Sequence, residues 1–229
     1  MKRIISLLLA CLSVLLLAFP VSAASPQSSA LPFADVKEGA FYYDAVKWAV
    51  NAGVTAGTDR THFSPNLICT RAQVATFIWR SFGSPTPKTV SNPFRDVKKS
   101  DYYYRAVLWC VEKKITSGTS ANYFSPTEYC TRGQVAVFLF RAAVAMGNWT
   151  EAEVAENKQA LIEWIREVPR MRFNDVSFDT YYGHAVYALE NWGLVSGVSE
   201  HPHLFAPNRV CTRAEVVTML YRFWNFNWS

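Results

Sequence analysis

The sequence has few of the residues that mark fibrous, disordered or nucleic-acid-binding proteins. Its 229 residues include only 10 glycines and 11 prolines, which excludes a collagen-like or low-complexity chain. Charged residues make up 18% and hydrophobic residues 50%, which excludes long-range disorder. The net charge of +5 falls to +3 without Lys2 and Arg3. A charge this small does not indicate a nucleic-acid partner.

Long apolar runs are also scarce, since the one clear example lies at the start of the chain. It runs from Ile4 to Phe19, about 16 residues, which is short for a membrane span. Lys2 and Arg3 precede it, and the small residues of 21–23 follow it. We therefore predict a secretory signal peptide over residues 1–23, with no integral membrane insertion after its cleavage.

Three copies of one unit make up most of the remaining sequence. The motif F-x-D-V begins at residues 33, 94 and 173, and the motif C-T-R begins at residues 69, 130 and 211. A glycine and an F-x-P segment lie between the two motifs in every copy. A repeat of this length is typical of a chain built from small stacked units. The copies span residues 31–84, 92–145 and 171–226, and a helical insertion or linker occupies residues 146–170.

Each copy is predicted to form a helix, a loop and a second helix, so the fold class is mainly α. Apolar residues recur at helical spacing in the first half of the copy, and Gly53 and Gly193 are placed to end the first helix. The second helix opens with a capping box, in which a threonine hydroxyl and a side chain three residues later satisfy two backbone amides. The boxes are Thr70 with Gln73, Thr131 with Gln134, and Thr212 with Glu215.

Four cysteines follow the predicted signal peptide, and an even number in a secreted protein permits two disulfides. However, Cys69, Cys130 and Cys211 hold one equivalent position, and three like positions cannot all pair with one another. Cys110 lies on a helical apolar stripe. We interpret all four as small buried hydrophobic residues. No C-x-x-C spacing is present, so neither a metal site nor a cofactor is predicted.

The combined motifs resemble the S-layer homology domain, over about residues 33–225. The departures from that pattern are Gln73, Gln134, Gly133 and the cysteine before each Thr-Arg pair. The resemblance implies a pseudo-threefold, three-pronged spindle around a central three-helix bundle. It also implies a secreted protein of the cell wall or S-layer, anchored non-covalently at the cell surface. In such proteins, grooves between the copies bind anionic secondary cell-wall polysaccharide, which often carries pyruvate ketals. A monomer is favoured.

Arg71, Arg132 and Arg213 are the first candidates for glycan contact, because each stands in the first turn of a predicted helix. A cation there opposes the helix dipole, so local helix stability does not explain its repetition. A guanidinium beside free helix N-terminal amides would suit a carboxylate or phosphate. The alternative is an ion pair with a nearby aspartate of the same or a neighbouring copy.

Three further sets recur and complete the predicted glycan site. The aspartates could accept hydrogen bonds from sugar hydroxyls, could orient the arginine, or could act as a cap or turn-former for the first helix. The tyrosines could stack on sugar rings or lie in the core. The glycines are expected to supply positive φ in the turn, and to let a sugar approach the backbone. The sets are Asp35, Asp96 and Asp175; Tyr42, Tyr103 and Tyr182; and Gly57, Gly118 and Gly197.

Two other functions remain as alternatives to a binding module. A cell-wall-acting enzyme would need a unique acid/base pair or nucleophile outside the repeat pattern. The insertion supplies glutamates but no partner nucleophile, so we predict no catalytic residue and no enzyme activity. A self-assembling surface-layer subunit would be expected to sediment as sheets by itself.

Overall fold

The structure is a computed structural model that describes residues 31–88, 91–147, 150–167 and 173–228. The predicted signal peptide, residues 1–23, lies outside this part of the chain. The described residues are mainly helical, as the sequence predicts. The helices are α1 Tyr43–Asn51, α2 Arg71–Ser81, α3 Tyr104–Glu112, α4 Arg132–Gly147, α5 Glu151–Glu167, α6 Gly183–Asn191 and α7 Arg213–Asn225; the strands are β1 Ser199–Glu200 and β2 His203–Leu204, which pair antiparallel.

The second helices of the three copies, α2, α4 and α7, contact one another and form a central three-helix bundle. Each first helix packs on the second helix of the preceding copy, so α3 lies on α2 and α6 lies on α4. Helix α1 lies on α7, which joins the first copy to the last. The three copies therefore close into a ring, in which no copy buries its apolar faces alone.

A ring of three backbone hydrogen bonds links the copies where the second helices begin. The amide of Cys69 donates to the carbonyl of Cys211, that of Cys211 to Cys130, and that of Cys130 to Cys69, each at 2.9 Å. These cysteines and Cys110 are buried and are free thiols. Burial raises the pKa of Cys69 and of Cys130 to about 12, which keeps both thiols protonated.

The helix boundaries follow local signals in the sequence. The Gln73 amide donates to the Thr70 hydroxyl at 3.3 Å, and the Gln73 side chain accepts from the Thr70 amide at 2.9 Å. The same reciprocal pair is present at the start of α4 and of α7. Gly53 and Gly193 follow the first helices with φ of +68° and +71°, as predicted for a left-handed helix end.

The insertion between the second and third copies forms helix α5, which packs on α6. Leu161 of α5 is buried in the core, and Oδ1 of Asn157 lies 3.2 Å from Nε2 of His184. Burial, with the nearby Lys158, lowers the pKa of His184 to about 4, so this imidazole is neutral at physiological pH. The α5 helix therefore covers the flank of the third copy.

Candidate functional site

The three repeated arginines are buried where one copy meets the next. Arg71, Arg132 and Arg213 are only 3–4% exposed. Each Nε donates to the carbonyl of the phenylalanine in the F-x-P loop of the following copy, and the third copy is followed by the first. The bonds join Arg71 to Phe124 at 3.0 Å, Arg132 to Phe205 at 2.8 Å, and Arg213 to Phe63 at 2.9 Å.

Further contacts hold each guanidinium in place. Arg213 donates from Nη2 to the Ala56 carbonyl at 2.9 Å, and its guanidinium carbon lies 4.7 Å from the centre of the Phe63 ring. Arg132 donates likewise to the Ser196 carbonyl at 2.9 Å and pairs with Glu215 at 3.5 Å. Burial lowers the pKa of all three arginines. These side chains tie neighbouring copies together.

The helix N-terminal amides beside these arginines are engaged with protein carbonyls. The amides of Arg213 and Ala214 donate to the carbonyls of Leu67 at 2.8 Å and Pro65 at 3.0 Å. The starts of α2 and α4 make the same pair of bonds to the loops of the second and third copies. The expectation of free amides at this position is wrong, because the next copy's loop occupies them.

The repeated aspartates bind the same loops from the other side. Asp35 accepts from the amides of Phe63 at 2.9 Å and Ser64 at 2.8 Å, and Asp96 and Asp175 make the equivalent bonds. Ser64 has φ of +58°, so the carboxylate holds a strained turn. Within the described residues these aspartates neither cap a first helix nor form an ion pair with a repeated arginine. The predicted cap of the first helix is therefore wrong, because the carboxylates hold the F-x-P loop instead, and contact with sugar hydroxyls stays a prediction.

The repeated glycines are required by crowding more than by positive φ. Only Gly118 has positive φ, at +88°, so the expectation fails for Gly57 and Gly197. A Cβ on Gly57 would lie 2.4 Å from two loop carbonyls and 2.5 Å from the Phe33 ring. The aromatic ring and the loop backbone therefore leave no space for a side chain at this position.

The aromatic residues beside the first helices differ in exposure. Tyr42, Tyr103 and Tyr182 are half-buried and pack against the core. The residue before each of them is exposed, and its ring meets the following tyrosine edge-on, with centroids 5.0 Å apart. The sequence analysis did not predict this outer set, although an aromatic residue directly precedes the repeated tyrosine in every copy. Its members are Phe41 at 70% exposure, Tyr102 at 62% and Tyr181 at 66%.

A pocket of about 450 Å³ lies beside one of these aromatic pairs. Tyr103 lines it, together with Lys98, Asp96, Asp101 and Glu128. The three carboxylates outnumber the single lysine, so this pocket favours neutral or hydrogen-bond-donating groups, such as sugar hydroxyls, over anions.

Two other features bear on the class of protein. In the part of the chain that the structure describes, no helix is long and apolar enough to cross a membrane. No group of three or more histidine, cysteine or acidic side chains is placed to hold a metal ion among those same residues.

Comparison with known proteins identifies the first two copies. Residues 32–75 and 93–136 match the S-layer homology domain. The chain is 31% identical over 229 residues to an endoglucanase of Bacillus sp. (strain KSM-635), covering 96% of this chain and 22% of the relative. It is 32% identical over 140 residues to the surface-layer 125 kDa protein of Lysinibacillus sphaericus, covering 61% of this chain and 12% of the relative. A cell surface protein of Thermoanaerobacter kivui is 27% identical over 115 residues, or 48% of this chain and 15% of the relative.

The chain therefore carries S-layer homology repeats and belongs with secreted proteins of the cell surface. The matched domain is an anchoring module that binds cell-wall polymers, not a catalytic one. The chain spans less than a quarter of the length of each of these relatives, and the relative named as an enzyme contains the matching region within a longer protein.

Proposed function

We propose that this protein is held non-covalently at the cell surface by secondary cell-wall polysaccharide, bound along the grooves between its copies. The observation that carries the proposal is the exposed aromatic ring at the same position of every copy: Phe41, Tyr102 and Tyr181. Single exposed aromatic residues are common on protein surfaces. Three at equivalent positions, each set against a half-buried tyrosine, are a repeated binding feature.

The chemistry of an aromatic pair suits a carbohydrate. The apolar face of a sugar ring packs on an aromatic face, while a tyrosine hydroxyl exchanges hydrogen bonds with the hydroxyls of the sugar. The inner ring of each pair packs against the core, and the outer ring contacts it edge-on. The pocket beside Tyr103 adds carboxylate acceptors for sugar hydroxyls.

The repeated arginines, aspartates and glycines receive positioning roles in this proposal. Arg71, Arg132 and Arg213 join the copies, while the repeated aspartates and glycines shape the loops that border the grooves. Tyr42, Tyr103 and Tyr182 stay as proposed glycan contacts at the groove walls. The protein acts as a monomer that performs no chemistry on the polymer.

A binding experiment on cell-wall sacculi tests the proposal. Purified protein lacking residues 1–23 is incubated with sacculi before and after acid extraction of their secondary polysaccharide. We expect binding to the intact sacculi and its loss after extraction. The Phe41→Ala, Tyr102→Ala and Tyr181→Ala changes, made together, should weaken binding at least tenfold. Tyr129→Ala is the matched control, because Tyr129 is 60% exposed but has no aromatic counterpart in the other copies.

Three other outcomes would count against the proposal. Unchanged binding after extraction would point to peptidoglycan or a wall protein as the partner. Equal binding by the triple variant and the Tyr129→Ala control would remove the aromatic pairs from the site. Sedimentation of the pure protein as sheets would favour a lattice subunit.

A further inference from the structure

Pairs of hydroxyl groups close the loop around the F-x-P segment in two of the three copies. In the first copy the Thr58 hydroxyl lies 2.6 Å from the Ser64 hydroxyl. In the second copy Thr119 and Ser125 make the same contact at 2.7 Å. Because neither serine nor threonine ionises, these two closures do not depend on pH.

The third copy cannot close its loop in this way. The equivalent residues are Val198 and Ala206, which carry no hydroxyl. This loop is two residues longer than its counterparts and contains the β1–β2 hairpin. Beside the hairpin the Val198 amide donates to the Leu204 carbonyl at 2.7 Å. A different side-chain contact joins this hairpin to the first helix of its copy.

Glu190 and His203 make that contact. Oε1 of Glu190, in α6, lies 3.8 Å from Nε2 of His203, in β2. The His203 ring also packs on buried Phe173, with ring centroids 4.3 Å apart. The first and second copies have Val50 and Val111 at the position of Glu190, so the titratable pair belongs to the third copy alone.

The Glu190 carboxyl is buried with one oxygen unpaired. Only 10% of its side chain is exposed, and Oε2 has no hydrogen-bond partner among the residues that the structure describes. Burial raises the pKa of this carboxyl to about 7. A protonated carboxyl is neutral and can exchange a hydrogen bond with the imidazole, whereas an ionised one at this depth requires a cation or water.

The other charged groups around α6 do not compensate a charge on Glu190. Within the described part of the chain, His203 is the only residue that forms an ion pair with it, and burial is the only cause of its raised pKa. The described acidic side chains of α5 are exposed. The charged or titratable residues on the remaining neighbours are Arg132 and Arg141 of α4, Lys158 of α5, His184 of α6, Arg222 of α7, Asp175, and Glu200 and His201 at the hairpin.

Most of these neighbours have other partners. Arg141 donates to the Ile115 carbonyl at 3.3 Å, and Arg222 donates to the Ser196 hydroxyl at 3.4 Å. Arg132 pairs with Glu215, and His184 lies 3.2 Å from Asn157 and is influenced by Lys158; Asp175 binds loop amides. Glu200 and His201 are exposed.

Strand β2 leads directly into the junction between the second and third copies. The carbonyl of Phe205, the next residue but one after His203, accepts from Arg132 Nε at 2.8 Å, and its amide is held by Asp175 at 2.9 Å. The His203 carbonyl accepts from the Asn174 amide at 2.8 Å. A movement of the hairpin would therefore act on the segment that joins these two copies.

We propose that Glu190 and His203 form a pH-sensitive latch, which holds the β1–β2 hairpin on α6 while the Glu190 carboxyl is protonated and releases it when that carboxyl ionises. Release gives the carboxylate access to water. The first and second copies, which are closed by hydroxyl pairs, do not respond. The latch does not depend on which ligand the protein binds.

Hydrogen exchange tests the latch with controls inside the same molecule. The Val198 amide reports on the hairpin, and the equivalent amides of Thr58 and Thr119 donate to the carbonyls of His62 and Tyr123, each at 2.8 Å. In an opened loop the pKa of Glu190 returns toward 4.5, so opening should become more favourable between pH 4.5 and pH 7 and then level off.

We expect protection of the Val198 amide, relative to that of Thr58 and Thr119, to fall at least tenfold between pH 5 and pH 8. Global unfolding exposes all three amides alike, so it cannot produce this difference. A constant ratio over this pH range would overturn the proposal.

Three variants identify the group responsible, with the Asn174 amide as the reporter. Glu190→Val introduces the residue of the other copies and should abolish the fall in protection. Val198→Thr with Ala206→Ser, which restores the hydroxyl pair, should also abolish it. Glu200→Gln is the matched control, because it removes an exposed carboxyl of the same hairpin and should leave the fall unchanged.

Two further results would overturn the proposal. One is a fall in protection that persists in Glu190→Val or that disappears equally in Glu200→Gln. The other is an NMR titration in which the His203 imidazole stays charged up to pH 8 while the protection of Val198 is constant. That result would mean that an ion pair with ionised Glu190 keeps the hairpin closed.

Discussion

Arg213 donates from Nε to the carbonyl of Phe63 at 2.9 Å, although 150 residues of sequence separate the two. This bond joins the last copy to the first, as the bonds of Arg71 and Arg132 join the other neighbours. Asp35 holds the amide of the same Phe63 residue at 2.9 Å. The loop that contains Phe63 is therefore hydrogen-bonded both by the Asp35 carboxylate of its own copy and by the Arg213 guanidinium of the last copy. This arrangement makes folding of each copy depend on its neighbour.

The first prediction concerns the buried arginine at this junction. Arg213→Ala leaves the carbonyls of Phe63 and Ala56 without their donor, so the free energy of unfolding should fall by about 3 kcal/mol. Arg222→Ala, on the exposed side of the same helix, should change it by less than about 0.5 kcal/mol. Urea denaturation measures both. A glycan-contacting Arg213 would instead lose binding while keeping its stability.

The second prediction compares a glycine required by steric crowding, Gly57, with one required by its left-handed backbone conformation, Gly39. Gly57→Ala would place a Cβ 2.4 Å from backbone carbonyls, so we expect a loss of about 4 kcal/mol or failure to fold. Gly39 has φ of +82° with nothing within 4 Å of a Cβ, so Gly39→Ala should cost only about 1 kcal/mol. Thermal melts of the two variants provide the comparison. Similar losses at both sites would mean that φ, not crowding, governs Gly57.

The third prediction concerns the four buried thiols. Because burial raises the pKa of each, Cys69, Cys110, Cys130 and Cys211 should resist alkylation in the native protein. All four should be alkylated in denaturant without reductant, as mass spectrometry of the peptides can show. Any of these peptides recovered as a disulfide would contradict the structure.

The fourth prediction is a pH dependence that arises from Glu190. Burial raises the pKa of this carboxyl from its ordinary value of 4.5 to about 7, and Oε1 lies 3.8 Å from His203 Nε2. Oε2 has no hydrogen-bond partner among the residues that the structure describes. Between pH 4.5 and pH 7 the Glu190 carboxyl loses its proton in the unfolded chain but keeps it in the folded protein. Stability should therefore fall as the pH rises, by on the order of 3 kcal/mol at pH 8.

Glu190→Gln should remove this contribution. The variant should match the wild type near pH 4.5 and be the more stable protein at pH 8, in denaturant melts at both pH values. His184 provides an opposite slope, because its pKa of about 4 makes the fold less stable as the pH falls below 6.5. An unchanged slope in Glu190→Gln would assign the pH dependence elsewhere.

Much of the local structure was predictable from sequence. The capping boxes at Thr70, Thr131 and Thr212 are formed between residues three apart, so no tertiary information was needed to find them. The helix ends at Gly53 and Gly193, and the helical character of the insertion, follow from equally local signals. A repeated motif also implied that the copies would share one environment.

The roles of the repeated polar residues depended on contacts between distant segments. Asp35 and Arg213 both looked suited to a ligand, yet they bind opposite ends of one residue, Phe63. Sequence alone could not show that the amides at the start of α7 would be taken by Leu67 and Pro65. The exposure of Tyr102 beside half-buried Tyr103 was likewise set by packing.

The sequence by itself determined the three copies, their helices and caps, and the class of cell-surface protein, because these depend on short-range patterns that recur in register. Only the tertiary structure decided which side chains were left for a ligand. Closing three copies into a ring buries Arg71, Arg132 and Arg213, and the same closure leaves Phe41, Tyr102 and Tyr181 at the surface. The physical reason is that burial and hydrogen-bond partnership are properties of the packed ring, in which each copy completes its neighbour.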